Sequence, residues 1–265
     1  MRVCEGLLRK KVARKELLIT GAVIDSRTAS VIELYKELDY DVVLIDREHS
    51  CLNSETICDH IRVSRSLGLP CMVRVAEPSY SELNRSLDQA PDGIFVPRVE
   101  TREQVEDILQ KIKYPPLGRR GLAGSTCPVG KYKGWNSVPE QISAVNRNLV
   151  VGIQIENESA LKNLDAILSV KGVDIAVVGN DDLTMSMGIP GQIINKKYQA
   201  TIEKIILVCK RHNVLPGIAM GQPDMALFWI KKGMRMIWFS CDIYGLWLGL
   251  NQQMTALRMG LKKKK

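Results

Sequence analysis

The stretch Val42-Val43-Leu44-Ile45-Asp46-Arg47-Glu48-His49 determines how the rest of this chain is interpreted. Its four apolar residues predict a strand that is buried on both faces. The run then changes abruptly to charged residues and a histidine, as expected where a barrel strand ends. Because Asp46 lies three residues before His49, its carboxylate could accept the imidazole N–H and fix the tautomer of a proton-transferring histidine. The same spacing alone also fits a surface turn with scattered charges.

Short apolar runs alternate with amphipathic segments along the chain. Eight runs predict strands, at residues 17–23, 41–46, 71–75, 93–96, 149–155, 173–178, 214–219 and 235–239. Helical periodicity follows each of them, and one helix begins at Thr101 with Gln104 in a capping-box position. Eight strand–helix units in 265 residues predict a single-domain (β/α)8 barrel over 1–265, with a basic tail at 262–265. An open doubly wound sheet is the alternative, although Gly21-Ala22-Val23-Ile24-Asp25 is not the Gly-rich phosphate turn it needs.

Composition narrows the class of protein. The chain is 45% hydrophobic and 25% charged, and no run of about 18 apolar residues could span a bilayer, so we expect a soluble protein without a membrane partner. The net charge of +8 lies largely in Lys262–Lys265 and near the start of the chain, which does not favour a nucleic-acid partner. Seven cysteines without C-x-x-C spacing, and the lack of a secretory signal, predict a cytoplasmic location.

The segment between Lys113 and Val138 breaks the strand–helix pattern. It is rich in Pro, Gly, Arg and Lys. A connection of this length in a compact domain predicts a lid or a contact between subunits.

Polar residues collect where the predicted strands end, which in such barrels is where reacting groups lie. They are Asp46 and His49 after strand two, Arg74 at strand three, Gln154 and Glu156 at strand five, and Gly179, Asn180, Asp181 and Asp182 after strand six. A guanidinium at Arg74 would be desolvated unless an anion or an enolate oxygen faced it. The alternative for Arg74 is a structural salt bridge to a rim acid such as Glu48 or Glu77.

Glu156 and Asp182 come from neighbouring strands and predict a divalent-metal site that binds substrate oxygens in its remaining positions. Alternatively, Glu156 is an acid at a helix N-terminus and Asp182 is a helix N-cap.

Other candidates have weaker placement. Arg98 and Arg120 resemble Arg74 as anion-facing arginines. His60 and His212 lie within helical patterns and are interpreted as packing or surface residues. Met234, Met236 and Trp238 are interpreted as core and not as a cofactor pocket.

Several motifs occur in order from about Thr20 to Asp242. They are Asp46-x-Glu48-His49, Val73-Arg74, Val96-Pro97 with Val99-Glu100-Thr101, Tyr114-Pro115-Pro116-x-Gly118-x-Arg120-Gly121, Gln154-Ile155-Glu156, and Gly172-Val173-Asp174 leading to Gly179-x-x-Asp182-Leu183. Together they resemble the HpcH/HpaI family of metal-dependent (class II), pyruvate-type aldolases, which includes citrate-synthase-like relatives.

The resemblance implies a barrel whose last helix is often exchanged between subunits and which assembles as a homo-oligomer, from a dimer to a trimer of dimers. It implies a divalent metal, with Mg²⁺ expected and Mn²⁺ or Co²⁺ as alternatives. The positions matching Glu156 and Asp182 would hold this metal, and a 2-keto acid would chelate it.

The resemblance also implies roles for the rim residues. Arg74 would contact the keto or enolate oxygen, and His49, oriented by Asp46, would transfer protons through a metal-bound water. Backbone N–H groups of Asp181 and Asp182 would bind the substrate carboxylate. Gln154 and Gly179 are expected to line the same substrate site.

The chain departs from the family pattern at several points. Arg47 and Arg98 stand where small, neutral or apolar residues are usual, Gly179-Asn180-Asp181 replaces the frequent Gly-Pro-Ala, and the segment Ser125 to Tyr132 is atypical. Together with Arg120, the added positive charge predicts a dicarboxylic or polyanionic 2-keto acid as substrate.

Three functions are therefore considered. The first is an aldolase or lyase that acts through the enolate of pyruvate or oxaloacetate, with an aldehyde as co-substrate. The second is a citrate-synthase-like condensation of oxaloacetate with acetyl-CoA, motivated by Arg47, Arg98 and Arg120. The third is a non-catalytic barrel that binds acidic ligands or nucleic acid, and it predicts binding that weakens steeply with salt and survives Glu156→Ala.

Overall fold

Eight parallel strands close into a barrel in the computed structural model, which describes residues 6–123, 127–130 and 137–262. The strands are β1 (Leu18–Val23), β2 (Val42–Asp46), β3 (Cys71–Arg74), β4 (Gly93–Val96), β5 (Val150–Ile155), β6 (Ile175–Val178), β7 (Leu215–Ala219) and β8 (Met236–Cys241). Each strand pairs with the next in the chain, and β8 pairs with β1. The (β/α)8 barrel is confirmed, and the open sheet is excluded.

The helices surround this barrel. They are α1 (Leu7–Ala13), α2 (Ser30–Glu37), α3 (Ser54–Ser66), α4 (Tyr80–Asp88), α5 (Arg102–Ile112), α6 (Val138–Asn148), α7 (Glu158–Lys162), α8 (Leu164–Leu168), α9 (Asn180–Ser186), α10 (Lys196–Arg211), α11 (Pro223–Lys232) and α12 (Asp242–Lys262). The predicted capping box of Thr101 and Gln104 is present at the start of α5. No helix was predicted where α6 lies. The helix predicted after β5 is interrupted at Asn163, whose side chain donates to the carbonyl of Glu100.

Alternate residues of each strand face the barrel interior or the helices, because the side-chain period of a strand is two. Leu44, Met72, Phe95 and Ile175 belong to the cluster that fills the interior. Their neighbours along the strands pack under the helices in a second, larger cluster. Gly152 makes room inside the barrel, since a Cβ there would lie 2.6 Å from the Phe95 ring. Because side chains fill the interior, a substrate could bind only at one of the two ends of the barrel.

Some predictions fall on residues that the structure does not describe. Residues 124–126, 131–136 and 263–265 lie outside the described ranges, and they include part of the atypical segment from Ser125 to Tyr132 and most of the basic tail. Within 6–123, 127–130 and 137–262, no helix has both the length and the apolar character that crossing a bilayer requires.

Candidate active site

Arg74 is the centre of the carboxyl-terminal rim. It ends β3 in register with Asp46, which ends β2. The guanidinium donates twice to the Asp46 carboxylate, from Nε to Oδ1 at 2.8 Å and from Nη2 to Oδ2 at 2.6 Å. Both side chains are buried, with 4% and 0% of their surface exposed. A bidentate pair without solvent fixes the plane of the guanidinium.

Three further contacts hold the other sides of Arg74. Nη1 donates to Gln154 Oε1 at 3.3 Å, and the guanidinium lies 4.8 Å above the Trp238 ring. Nη1 also lies 3.1 Å from Glu48 Oε2, an ion pair whose angles do not make a hydrogen bond. The salt bridge to Glu48 that the sequence offered as an alternative is therefore present. It does not compete with a role in binding, because a guanidinium has five N–H groups to donate.

The predicted pairing of Asp46 with His49 has to be corrected. Both oxygens of Asp46 accept from Arg74, and Oδ1 also accepts the backbone N–H of Glu48 at 2.9 Å. His49 lies at the mouth with 56% of its side chain exposed, and its Nε2 is 3.9 Å from Glu48 Oε2. Strand register explains the difference, since it sets Arg74 directly beside Asp46. Glu48 is the acid that accompanies His49.

Glu156 follows β5 and is buried at the rim. Its Oε1 accepts the backbone N–H of Arg98 at 2.6 Å, and its Oε2 accepts from Gln154 Nε2. Burial raises the pKa of Glu156, the Arg98 N–H lowers it, and the carboxylates of Glu48 and Asp182 raise it further. Negative charge is thus crowded around Glu156, and a cation would relieve this crowding.

Asp182 lies in the first turn of α9, where Gly179 and not Asp182 is the N-cap residue. Both Asp181 and Asp182 are exposed on the rim. Position 179 has no room for a side chain, because a Cβ there would lie 2.6 Å from Gln154 Nε2 and 3.0 Å from Glu156 Oε2. Glycine is therefore required at this position.

The donor set fits a divalent cation with open positions. Glu156 and Asp182 would supply carboxylate oxygens, the ligands that Mg²⁺ and Mn²⁺ prefer. In the part of the chain that the structure describes, no group of three or more His, Cys, Asp and Glu side chains could hold a metal ion, so the cation would depend on these two carboxylates and on substrate or water oxygens. Two carboxylates and open coordination positions are what binding of a substrate to the metal requires.

Arg98 lies closer to the site than the sequence indicated. Its Nε is 3.2 Å from Glu48 Oε1, its backbone N–H binds Glu156, and 73% of its side chain is exposed at the mouth. Its φ of 56° is in the left-handed region, which is uncommon for a residue other than glycine. The available signal was its position two residues after β4, behind Pro97.

Comparison with known proteins identifies the family of this chain. Residues 21–243 match the family described as HpcH/HpaI aldolase/citrate lyase. The chain belongs to this family. Membership confirms the predicted family and the predicted enzyme class of aldolases and lyases.

Individual HpcH/HpaI proteins resemble the chain over nearly its whole length. The 2-keto-3-deoxy-L-rhamnonate aldolase of Escherichia coli strain K12 is 28% identical over 251 residues, which cover 95% of this chain and 93% of the relative. The HpcH/HpaI aldolase of Desulfitobacterium hafniense superposes with a TM-score of 0.89 at 25% identity, covering 95% and 96% of the two chains. The structure of citrate synthase SbnG gives 0.84 at 24% identity, covering 96% and 98%, and supports the fold alone.

Two predicted substrate-binding arginines of this HpcH/HpaI protein do not face the rim. Arg47 turns toward α4, where its Nε lies 2.7 Å from Glu82 Oε1. Because Asp46 points into the barrel, the next side chain points toward the helices. Arg120 donates to Asp88 at 2.8 Å and stacks on Tyr114 near the amino-terminal end of the barrel. Both predictions are corrected.

Trp238 was predicted to lie in the core. The structure instead places it at the mouth of the barrel, where it is partly buried. It contacts Arg74 and lines a cavity of about 340 Å³ with Ile24, Met220 and Tyr244. Its position near the end of the eighth predicted strand was the signal for this placement.

The remaining core and packing predictions agree with the structure. Met234 and Met236 are buried, as predicted. His60 is buried within α3, and His212 lies at the surface 2.9 Å from Asp165.

Proposed function

We propose that the protein breaks or forms a carbon–carbon bond through the enolate of pyruvate or oxaloacetate. The observation that carries this proposal is the fixed guanidinium of Arg74, held by Asp46, Gln154 and Trp238 beside Glu156. A donor that is already positioned stabilises an enolate oxygen without reorganising during the reaction. Burial of Arg74 strengthens this effect, because solvent screens the charge less.

The other rim residues position the substrate. A divalent cation held by Glu156 and Asp182, with Mg²⁺ first and Mn²⁺ or Co²⁺ as alternatives, would supply a Lewis acid for the keto oxygen. Gln154 Nε2 and the Arg98 N–H each donate to one Glu156 oxygen and so fix the plane of that carboxylate. The backbone N–H groups of Asp181 and Asp182 would receive the substrate carboxylate.

Enolate formation can be tested without knowing the second substrate. Pyruvate is incubated with the protein and Mg²⁺ in D₂O, and loss of the methyl proton signal is followed by NMR. We expect exchange well above the rate of Mg²⁺ alone, and exchange that stops when the metal is chelated. If no exchange above that rate occurs with Mg²⁺, Mn²⁺ or Co²⁺, the proposed function is wrong.

His49 is proposed to move the proton. Its exposed imidazole beside Glu48 can reach a substrate at the mouth, and histidine suits proton transfer near neutral pH. We expect His49→Ala to lower kcat for methyl exchange by roughly 10² to 10⁴-fold, the usual size of an acid–base contribution. Separate measurement of kcat and KM checks the assignment, since loss of a proton-transfer group should lower kcat and leave KM for pyruvate nearly unchanged. An unchanged kcat would remove His49 from the mechanism.

The direction of the reaction depends on the second substrate. We propose an aldehyde as the partner of the enolate, with acetyl-CoA as the alternative. Incubation with Mg²⁺ and oxaloacetate, with and without acetyl-CoA, separates the two. Free thiol that appears only when both are present favours condensation, and pyruvate formation alone favours the aldolase or lyase reaction.

Arg98 is proposed to select a second carboxylate on the substrate. It is the only one of the predicted additional arginines Arg47, Arg98 and Arg120 that the structure places at the mouth. We expect Arg98→Asn to raise KM for oxaloacetate at least about 5-fold while KM for pyruvate changes little, as for loss of one charge-assisted hydrogen bond. Asparagine tolerates the left-handed backbone and keeps the N–H that binds Glu156. Equal changes for both substrates would assign Arg98 to support of the site.

The protein is also proposed to be a homo-oligomer, a dimer to a hexamer, in which α12 lies on a neighbouring copy. Asp242, the first residue of α12, accepts the backbone N–H groups of Ile24, Asp25 and Ser26, and α12 contacts β8 and β1. Along α12, ten large apolar side chains are exposed, namely Ile243, Tyr244, Leu246, Trp247, Leu248, Leu250, Met254, Leu257, Met259 and Leu261. A patch of this extent on a soluble protein marks a contact surface.

If α12 lies on a neighbouring copy, two of these side chains should be needed for assembly. Replacing Leu250 and Leu257 with glutamate should shift the protein to monomer, because carboxylates are costly to bury at an apolar contact. Analytical ultracentrifugation measures the mass, and Lys204→Glu on α10, on a different helix, serves as a control. A variant with the mass of the unaltered protein would contradict the exchange of α12.

A cytoplasmic location is proposed from the cysteines. Among the described residues, free thiols are found at Cys51, Cys58, Cys71, Cys209 and Cys241. Structural disulfides form in oxidising compartments, so free thiols are typical of a reducing one.

A further inference from the structure

A second cavity lies at the amino-terminal end of the barrel, opposite the catalytic rim. It measures about 100 Å³ and is lined by residues that precede β4 and β5, together with residues of α3, α4 and α6. A single water needs about 10–15 Å³ of such space, so the cavity holds several waters or one small ligand. Its charged lining residues are Arg65, Asp92 and Arg120.

Arg120 has a buried N–H group that lacks a hydrogen-bond partner. Only 1% of its side chain is exposed, and Nη2 donates to Asp88 at 2.8 Å. Its Nε is buried and has no hydrogen-bond partner among the described residues. Buried polar groups in folded proteins are nearly always hydrogen-bonded, and a guanidinium N–H needs an acceptor. Because Arg120 lines the cavity, an acceptor atom bound there would complete its hydrogen bonding.

The charges around the cavity favour an anionic acceptor when Asp92 is protonated. Burial raises the pKa of Asp92 to about 6, although Arg65 of α3 and the backbone N–H of Cys71 on β3 act in the opposite direction. With Asp92 ionised, Arg65 and Arg120 balance Asp88 and Asp92. With Asp92 neutral, these four groups carry one net positive charge. The Cys71 thiol adds no charge, because burial raises its pKa above its ordinary value.

We propose that this cavity binds a small oxyanion, a phosphate or a carboxylate, whose oxygen accepts the Nε–H of Arg120. The site is separate from the catalytic rim, since β4 and β5 span roughly 13–20 Å between the two ends of the barrel. Bound anion stabilises the folded protein, because the unfolded chain has no such cavity. The proposal does not depend on the reaction at the rim.

Selenate is the probe, because its charge does not change between pH 5.5 and 7.5 and selenium can be located by anomalous scattering. In crystals soaked at pH 5.5, we expect a selenium peak within hydrogen-bonding distance of Arg120 Nε. Calorimetry should show affinity about 20-fold weaker at pH 7.5, as calculated for binding that requires a protonated group of pKa about 6. Selenium peaks only at the rim, or none, would overturn the proposal.

Two matched variants of α6 separate this site from general effects of salt. Ala144 lines the cavity, so Ala144→Leu should fill it and abolish selenate binding at pH 5.5. Ser143→Leu places the same side chain on the exposed part of the same helix and should leave binding unchanged. Equal binding by both variants would contradict the assignment. Competition by inorganic phosphate and by malonate then shows which oxyanion the site prefers.

Discussion

Arg74→Lys is expected to lower kcat for pyruvate methyl exchange by about 10² to 10³-fold, the size of effect found when one preorganised donor to an oxyanion is lost. Lysine keeps the positive charge but cannot donate to both Asp46 oxygens and to Gln154 in one plane, as the guanidinium does. The charge on the developing enolate oxygen would therefore meet a donor that is no longer fixed. NMR exchange rates at saturating pyruvate measure the effect.

A structural role for Arg74 makes a different prediction. If the arginine only holds Asp46 and Glu48, the lysine variant should melt at a lower temperature while the variant that remains folded exchanges protons at the normal rate. Circular dichroism and exchange measured on the same sample distinguish the two cases. A loss of rate below about 3-fold in the folded fraction would remove Arg74 from the chemistry.

Glu156→Gln is expected to abolish metal-dependent exchange and to weaken Mn²⁺ binding by more than about 100-fold, since replacement even of residues that only support metal ligands costs 10 to 100-fold. The variant should remain folded, but its amide NH₂ would face a donor, either the Arg98 N–H or Gln154 Nε2, and this cost opposes the gain from removing a buried charge. Burial raises the pKa of Glu156, and the nearby carboxylates of Glu48 and Asp182 add to this, so a neutral amide relieves a cost that the native residue carries.

A matched control for this experiment is Glu77→Gln. Glu77 follows β3 on the same rim, and its side chain is exposed. It should bind Mn²⁺ and exchange pyruvate protons as the unaltered protein does. If Glu156→Gln retains normal Mn²⁺ affinity by paramagnetic resonance, the cation is held elsewhere and the proposed metal site is wrong.

The barrel could be predicted from the sequence because each strand and helix start leaves a pattern within a few neighbouring residues. Eight buried parallel strands produce apolar runs that periodicity detects, and the capping box at Thr101 marks a helix start. The start of α9 was misplaced, because Asp182 was offered as its N-cap while the helix begins at Asn180, after Gly179, without a side-chain cap. The break between α7 and α8 was missed because it depends on Asn163 reaching the distant Glu100 carbonyl.

The sequence predicted which residues lie on the rim, but it did not predict which of their side chains bind each other. Placement at strand ends correctly brought Arg74, Gln154 and Glu156 together, because the carboxyl ends of parallel strands share one rim. The partner of Asp46 depends on the register between β2 and β3, which the sequence does not display. Arg120 could have been placed at the opposite end of the barrel, because it lies between the helix that begins at Thr101 and the fifth strand, and each helix of such a barrel returns the chain to the amino-terminal end.

The attachment of α12 has a consequence for the entrance of the site. Asp242 binds three successive backbone amides after β1, while the following twenty residues extend for about 30 Å. A rotation of this helix about its first residue pulls on the loop at Ile24, which borders the cavity beside Trp238. The position at which the distal end of the helix is held would therefore affect the shape of the cavity that Ile24 and Trp238 line.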